Sequence, residues 1–248
     1  SSFVSVRVLV DGRTARASTN RLDEASLGDA VERAAVLARL QQPDPDLLPL
    51  AEPAEYAGPV RLFADTARLT PDDRAQAVAE AIGEVAREGQ TAAGAYSSGE
   101  SVLALLNSRG VAAYHSESMA HFSITAMAGD SSGWAKAGST YHGNFNPPAL
   151  ARSAAEKAAL SAAPVELPPG RYTVILEPAA VLDLVGQMFS DFSATAVRDG
   201  RSFLKDRLDM KLFGPNITIR DDVYHPLQAG AAFDGEGVPR RRLTLVEN

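Results

Sequence analysis

TAAGAYSSGESVLALLNSRGVAAYHSESMAHFSITAMAGDSSGWAKAGSTY, residues 91–141, is the stretch on which the fold class turns. Its polar and apolar residues alternate with a period of two, the side-chain repeat of a β-strand. Residues 93–97, 101–107, 111–116, 121–127 and 134–141 carry the alternation, with Ser/Gly-rich breaks between them. Breaks this short join antiparallel neighbours, so the stretch predicts a meander.

Helical patterns flank it. Upstream, Thr70 and Pro71 form a cap and first-turn signal, and Ala75, Val78, Ala79, Ile82 and Val85 follow at helical spacing, with Gly89 near the end. Downstream, residues 148–162 predict a second helix. Before both, residues 4–10 and 14–19 alternate around Asp11-Gly12, a hairpin signal. A helix is expected from about Ser26, with Leu27, Ala30, Val31, Ala34, Leu37 and Ala38 on its apolar face. A short strand is expected at 60–63. Past the meander, 172–176 reads as a strand, 179–192 as an apolar-faced helix, 202–212 as an amphipathic stretch, and 217–219 and 243–246 as strands. Sheets with segregated helices predict an α+β fold. Residues 1–163 are expected to form an N-terminal domain, with a proline-rich linker at 43–59. Residues 164–248 are expected to begin a mainly β C-terminal domain.

Five of the fifteen prolines lie at 43, 45, 49, 53 and 59, and Pro168-Pro169-Gly170 marks the second break. The chain has 248 residues, 31 acidic and 24 basic, for a formal charge of −7. That balance argues against general nucleic-acid binding, which needs a basic face. No apolar run is long enough to span a membrane as a helix. With no cysteine, thiolate nucleophiles, disulfides and zinc ribbons are excluded from this stretch, which fits a reducing, cytoplasmic setting. The chain opens Ser1-Ser2-Phe3 almost inside a strand pattern and stops just after another. We therefore expect a piece of a longer protein.

Several constellations invite chemistry. His115 and His121, six apart on one strand, would stand about 20 Å apart, too far for one metal ion. A turn at Met119-Ala120 would break the strand between them. His115 and Glu117 alternate onto one face and can pair. Gly129-Asp130-Ser131-Ser132-Gly133 matches G-x-S-x-G, but a nucleophile elbow needs a helix after the serine. The alternating Trp134-Ala135-Lys136-Ala137 that follows predicts a hairpin turn. Arg240-Arg241-Arg242 is the one basic cluster, and a solvated ladder or subunit contact explains it. Phe233-Asp234-Gly235-Glu236-Gly237-Val238-Pro239 carries two carboxylates among glycines that permit positive φ. A turn is the simpler reading. Asp234, Glu236 and Gly237 are the candidate groove or partner contacts.

In order and spacing, these pieces resemble the TldD/PmbA family, also labelled modulators of DNA gyrase. The resemblance runs through Val6-Arg7-Val8-Leu9-Val10-Asp11-Gly12-Arg13, Leu106-Asn107-Ser108-Arg109-Gly110 and Ala154-Ala155-Glu156-Lys157-Ala158. It is most specific in Pro169-Gly170-Arg171-Tyr172-Thr173-Val174-Ile175-Leu176, Asp221-Asp222, the 233–239 string and Val246-Glu247-Asn248. The resemblance implies a zinc peptidase in the TldD branch, with H-E-x-x-x-H on the helix after the Tyr-x-Val strand. In that motif two imidazoles hold the metal and the glutamate activates its water. Here Leu182, Asp183 and Gln187 occupy the three positions. Leucine cannot ligate, and a neutral amide is a poor zinc ligand. No histidine lies between 143 and 224.

This departure resembles the PmbA branch, also called TldE, whose members are the metal-free partners of a zinc-bearing TldD subunit. The resemblance therefore implies no catalytic residue, metal site or cofactor in this chain, and zinc in a TldD-like partner. It implies a peptide or unfolded-protein substrate, while the acidic charge and the lack of a long apolar run argue against nucleic acid and membrane. The alternatives are a homodimeric peptide-binding scaffold of the same family and, more remotely, a serine hydrolase using Ser131.

Overall fold

The computed structural model describes residues 2–247. Two compact units divide between Ala51 and Glu52, inside the proline-rich stretch. In the first unit, β1 (Val4–Val10) pairs antiparallel with β2 (Arg13–Thr19), with Val10 opposite Arg13. Asp11 and Gly12 both have positive φ, 46° and 70°, the turn whose twist matches that of the strands it joins. The helix α1 (Glu24–Leu40) begins two residues before the expected start. The Asp23 carboxylate accepts from the Ser26 N–H and caps it. Only the small residues of the predicted face are fully buried, Ala30, Ala34 and Ala38. Val31 and Leu37 remain exposed. A row of alanines lets the helix backbone lie close over the hairpin.

The second unit is built on one three-stranded antiparallel sheet, in the order β3 (Thr91–Leu106), β4 (Ala112–Ala128), β5 (Ser131–Ser139). The meander is there, but as three long strands instead of five short ones. The breaks expected at 98–100 (Ser-Gly-Glu) and 117–120 (Glu-Ser-Met-Ala) continue the ladder, with Gly99 opposite Met119. The neighbouring strand supplies the backbone partners that local propensity does not. Phe122, Ile124 and Ala126 of β4 and Ala135 of β5 point to one face, which α3 (Pro71–Arg87) and α4 (Pro147–Leu160) cover. The two helices contribute Ala81, Val85, Ala151, Ala154, Ala155 and Ala158 to this core. α3 starts in a full capping box, Thr70 with Asp73, and Pro71 stands in its first turn. Asn146 caps α4. Between these pieces, α2 (Ala64–Ala67) is a single turn.

Three local expectations fail. Residues 60–63 form no strand. Their backbone is held instead by the buried Ser118, whose hydroxyl accepts from the Phe63 N–H at 2.9 Å. Residues 172–176 have no ladder partner, and Ile175 is 97% exposed. Residues 202–212 turn repeatedly because Asp206 and Asp209 adopt φ of 58° and 61°, which ends any helix. The remaining elements are α5 (Pro178–Met188), a 3-10 turn (Phe189–Phe192), α6 (Ala194–Arg198), and the pair β6 (Ile219–Asp221) and β7 (Leu243–Val246). Helices and antiparallel sheets segregate as expected, and the fold is α+β. Among the described residues, no helix is long and apolar enough to cross a membrane.

Candidate functional site

The face of the sheet opposite the core carries small and polar residues. Strand register sets two rows across it: Ser97, His121 and Gly138, then Ala95, Ser123 and Lys136. α5 lies above them. Pro178, Ala179 and Leu182 of that helix close a cavity of about 590 Å³ over Ala95, Ser97, His121, Ser123, Lys136 and Gly138. No residue of α5 is buried. The helix is tied to the sheet side by charge. Lys157 of α4 donates to Glu177 Oε2 at 2.5 Å, at the residue before α5, and to the Trp134 carbonyl at 3.0 Å. Lys136 donates to Asp183 Oδ1 at 3.3 Å and lies 4.8 Å from the centre of the Trp134 ring.

Of the three positions expected to match the zinc motif, two sit at this cavity. Leu182 lines it, and Asp183 faces the ammonium of Lys136. Gln187 lies one turn on, in the same helix. A hydrocarbon, a lysine-paired carboxylate and an amide do not fit a zinc ion. Among the described residues, no three His, Cys, Asp or Glu side chains converge as metal ligands would.

The other candidates have structural partners. Ser131 opens β5, is 8% exposed, and donates to the Ala128 carbonyl at 2.9 Å. A strand follows it, as the alternation predicted, so the hydroxyl is not presented on an elbow. His115 and His121 both lie on β4, which runs unbroken through Met119 and Ala120. His115 Nε2 stands 3.4 Å from Glu117 Oε2, and Glu117 also accepts from the Gly230 N–H at 2.9 Å. Close by, Arg61 is 3% exposed, and its guanidinium donates to the carbonyls of Val223, His225 and Pro226. Burial pulls its pKa down, and the charge of Glu117 opposes that shift. This network fastens the 223–230 loop to β4.

The 233–239 string is a docked turn. Asp234 Oδ1 accepts from the backbone N–H groups of Glu236 and Val238, both at 2.9 Å. Gly237, at φ 85°, is buried where a Cβ would stand 2.9 Å from Val111 Cγ1. Tyr56 donates its hydroxyl to the Gly237 carbonyl at 2.6 Å. Glu236 is exposed. These three residues stand together on one turn, and none of them lines the α5 cavity. Arg240 and Arg242 pair with Asp221 and Asp222, at the two ends of the Asp-Asp step.

Sequence reasoning missed His121, Ser97, Ser123 and Lys136 as a group. The alternation in β4 places His121 and Ser123 opposite the core side chains, and that signal was legible. Which residues of β3 and β5 join them depends on register, and the alternation reads β3 as two short strands and starts β5 three residues late.

Comparisons with known proteins agree with this architecture. The family described as PmbA/TldA metallopeptidase matches in three parts: domain 1 over residues 1–38, the central domain over 64–162, and the C-terminal domain over 169–248. The gaps fall on the two proline-rich stretches. An uncharacterized protein of Methanocaldococcus jannaschii, MJ0231, is 38% identical over 78 residues, 30% of this chain and 18% of that protein. Among solved structures, a protein of Thermotoga maritima described as a proposed modulator of a DNA gyrase superposes with a TM-score of 0.89 at 23% identity. The match covers 99% of this chain and 57% of that one. TldE from Thermococcus kodakarensis superposes with a TM-score of 0.80 at 21% identity, over 99% and 57% of the two chains. The chain thus spans little more than half the length of the solved relatives it matches. With matches to all three of its domains, placed in order along the sequence, the chain belongs to the PmbA/TldD metallopeptidase family.

Proposed function

We propose that this chain is a TldE/PmbA-like subunit that binds no metal and completes a TldD-type zinc peptidase assembly acting on peptides or unfolded protein. The observation that carries the reading is the donor set of α5. Leu182 has no lone pair, Gln187 offers a neutral amide, and the Asp183 carboxylate is engaged by Lys136. Hydrolysis is then the work of a partner whose equivalent helix carries H-E-x-x-x-H. The subunit's share is to shape the substrate groove and hold the partner in its active arrangement. The TldE of Thermococcus kodakarensis, with the same fold, supports this placement.

The test is metal analysis of the purified protein, followed by peptidase assay with and without an H-E-x-x-x-H relative. The expected result is no stoichiometric zinc in this chain, and peptide cleavage only when the relative is added. Stoichiometric zinc together with cleavage by this chain alone would overturn the reading.

A further inference from the structure

The cavity under α5 has a definite chemical character. Its lining includes one lysine and one histidine and no acidic residue, in a chain whose formal charge is −7. The apolar side chains on this face are Ala95, Pro178, Ala179 and Leu182, beside two serines and Gly138; Phe122 and Ala137 border the cavity, but the strand alternation turns their side chains toward the core. His121 lies across the sheet: a Cβ at Gly138 would stand 2.5 Å from its Nδ1. The Lys136–Asp183 pair at the rim is 39% and 64% exposed, so it is weak and exchangeable. A chamber of about 590 Å³ with one ammonium and one imidazole on the same wall is complementary to an apolar group that carries one negative charge. β5 is an edge strand of its sheet, and an edge offers backbone groups along which an extended peptide can run.

We propose that this cavity receives the C-terminal residue of a peptide. Its apolar side chain packs against Ala95, Ala179 and Leu182. Its free carboxylate takes Lys136 from Asp183, with His121 beside it, and the preceding residues follow β5. The choice of a peptide as occupant rests on the peptidase-subunit reading above.

The test is calorimetric titration of the full-length protein with three probes: N-acetyl-Ala-Ala-Leu as the free acid, the same tripeptide as its carboxamide, and 4-methylpentanoate. The tripeptide acid is expected to bind at least tenfold more tightly than either of the others. Lys136→Met should erase the preference for acid over amide. Leu182→Trp, at an exposed position, should fill the chamber and weaken both tripeptides at least tenfold. Circular dichroism checks that each variant is folded. Equal binding of acid and amide, equal binding of 4-methylpentanoate, no binding at millimolar concentration, or an acid preference that survives Lys136→Met each overturns the proposal. The two readings fail separately. Partner-dependent cleavage without acid preference overturns the pocket alone, and acid preference in a chain that binds zinc and cleaves by itself overturns the subunit reading alone.

Discussion

Asp221 accepts from the Gln228 side-chain amide at 2.8 Å and from Arg240 at 2.6 Å. These bonds stabilise the ionised form, the amide most and the arginine next, and hold its pKa below the ordinary carboxylate value. A depressed pKa means the group stabilises the fold above its unfolded pKa, and that contribution disappears as pH falls through the folded value. Asp221→Asn should therefore lower the unfolding free energy near neutral pH. The difference from the parent should shrink below about pH 4, where the unfolded carboxylate protonates, and vanish at lower pH. Urea unfolding of both proteins across pH 7 to 3 measures this, and a difference that stays constant over that range contradicts it. The same residue could not be singled out from its neighbours in the sequence. Asp221-Asp222 was visible as a pair, but Gln228 and Arg240 reach Asp221 only through the turns that follow it.

At the scale of elements, the contact of β5 with α4 is set by a missing side chain. A Cβ at Gly133 would collide with the Ala154 carbonyl and with the backbone N–H of Ala158. The helix therefore lies directly on the strand, through Ala151, Ala154, Ala155 and Ala158. Strand propensity alone favours Gly133→Ala, because alanine costs less backbone entropy. The close approach reverses the sign, since overpacking a dense core costs about 1–3 kcal/mol. Gly133→Ala is expected to destabilise the protein by about 2 kcal/mol in chemical denaturation, and a neutral or stabilising result would show that α4 yields without cost. Element boundaries were legible where a cap or turn marks them. Thr70 with Pro71 and Asp11-Gly12 each act through bonds to residues within four positions. They were misread where a distant strand supplies the partners, as in the Gly99–Met119 region, or where a periodic run is interrupted by left-handed aspartates, as at Asp206 and Asp209.

Across the whole molecule, regular structure is concentrated before residue 161, and the run 161–177 is exposed throughout without helix or strand. Exposed, unpaired backbone is where proteases cut first. Arg171 is the single basic residue in that run. Limited trypsinolysis is expected to cleave after Arg171 well before Arg61, which is buried, or Lys136, which lies in the sheet. Mass spectrometry of early fragments checks this, and early cleavage at Lys136 with Arg171 intact would contradict it. The family resemblance was readable from ordered short strings spread along the chain. Absence of imidazoles on α5 was readable as well, because it is a matter of composition in one stretch. The cavity beneath that helix was not.

Caps, turns, the alternating period and the absence of histidine around Leu182 and Gln187 could all be read from residue order, since each depends on neighbours a few positions away. The pairing of Ser97 with His121, the approach of Lys136 to Asp183, and the chamber between α5 and the sheet were set by folding. They join residues some 24 to 87 positions apart, and at that separation it is strand register and helix placement, not local backbone preference, that put two side chains on the same side of a sheet.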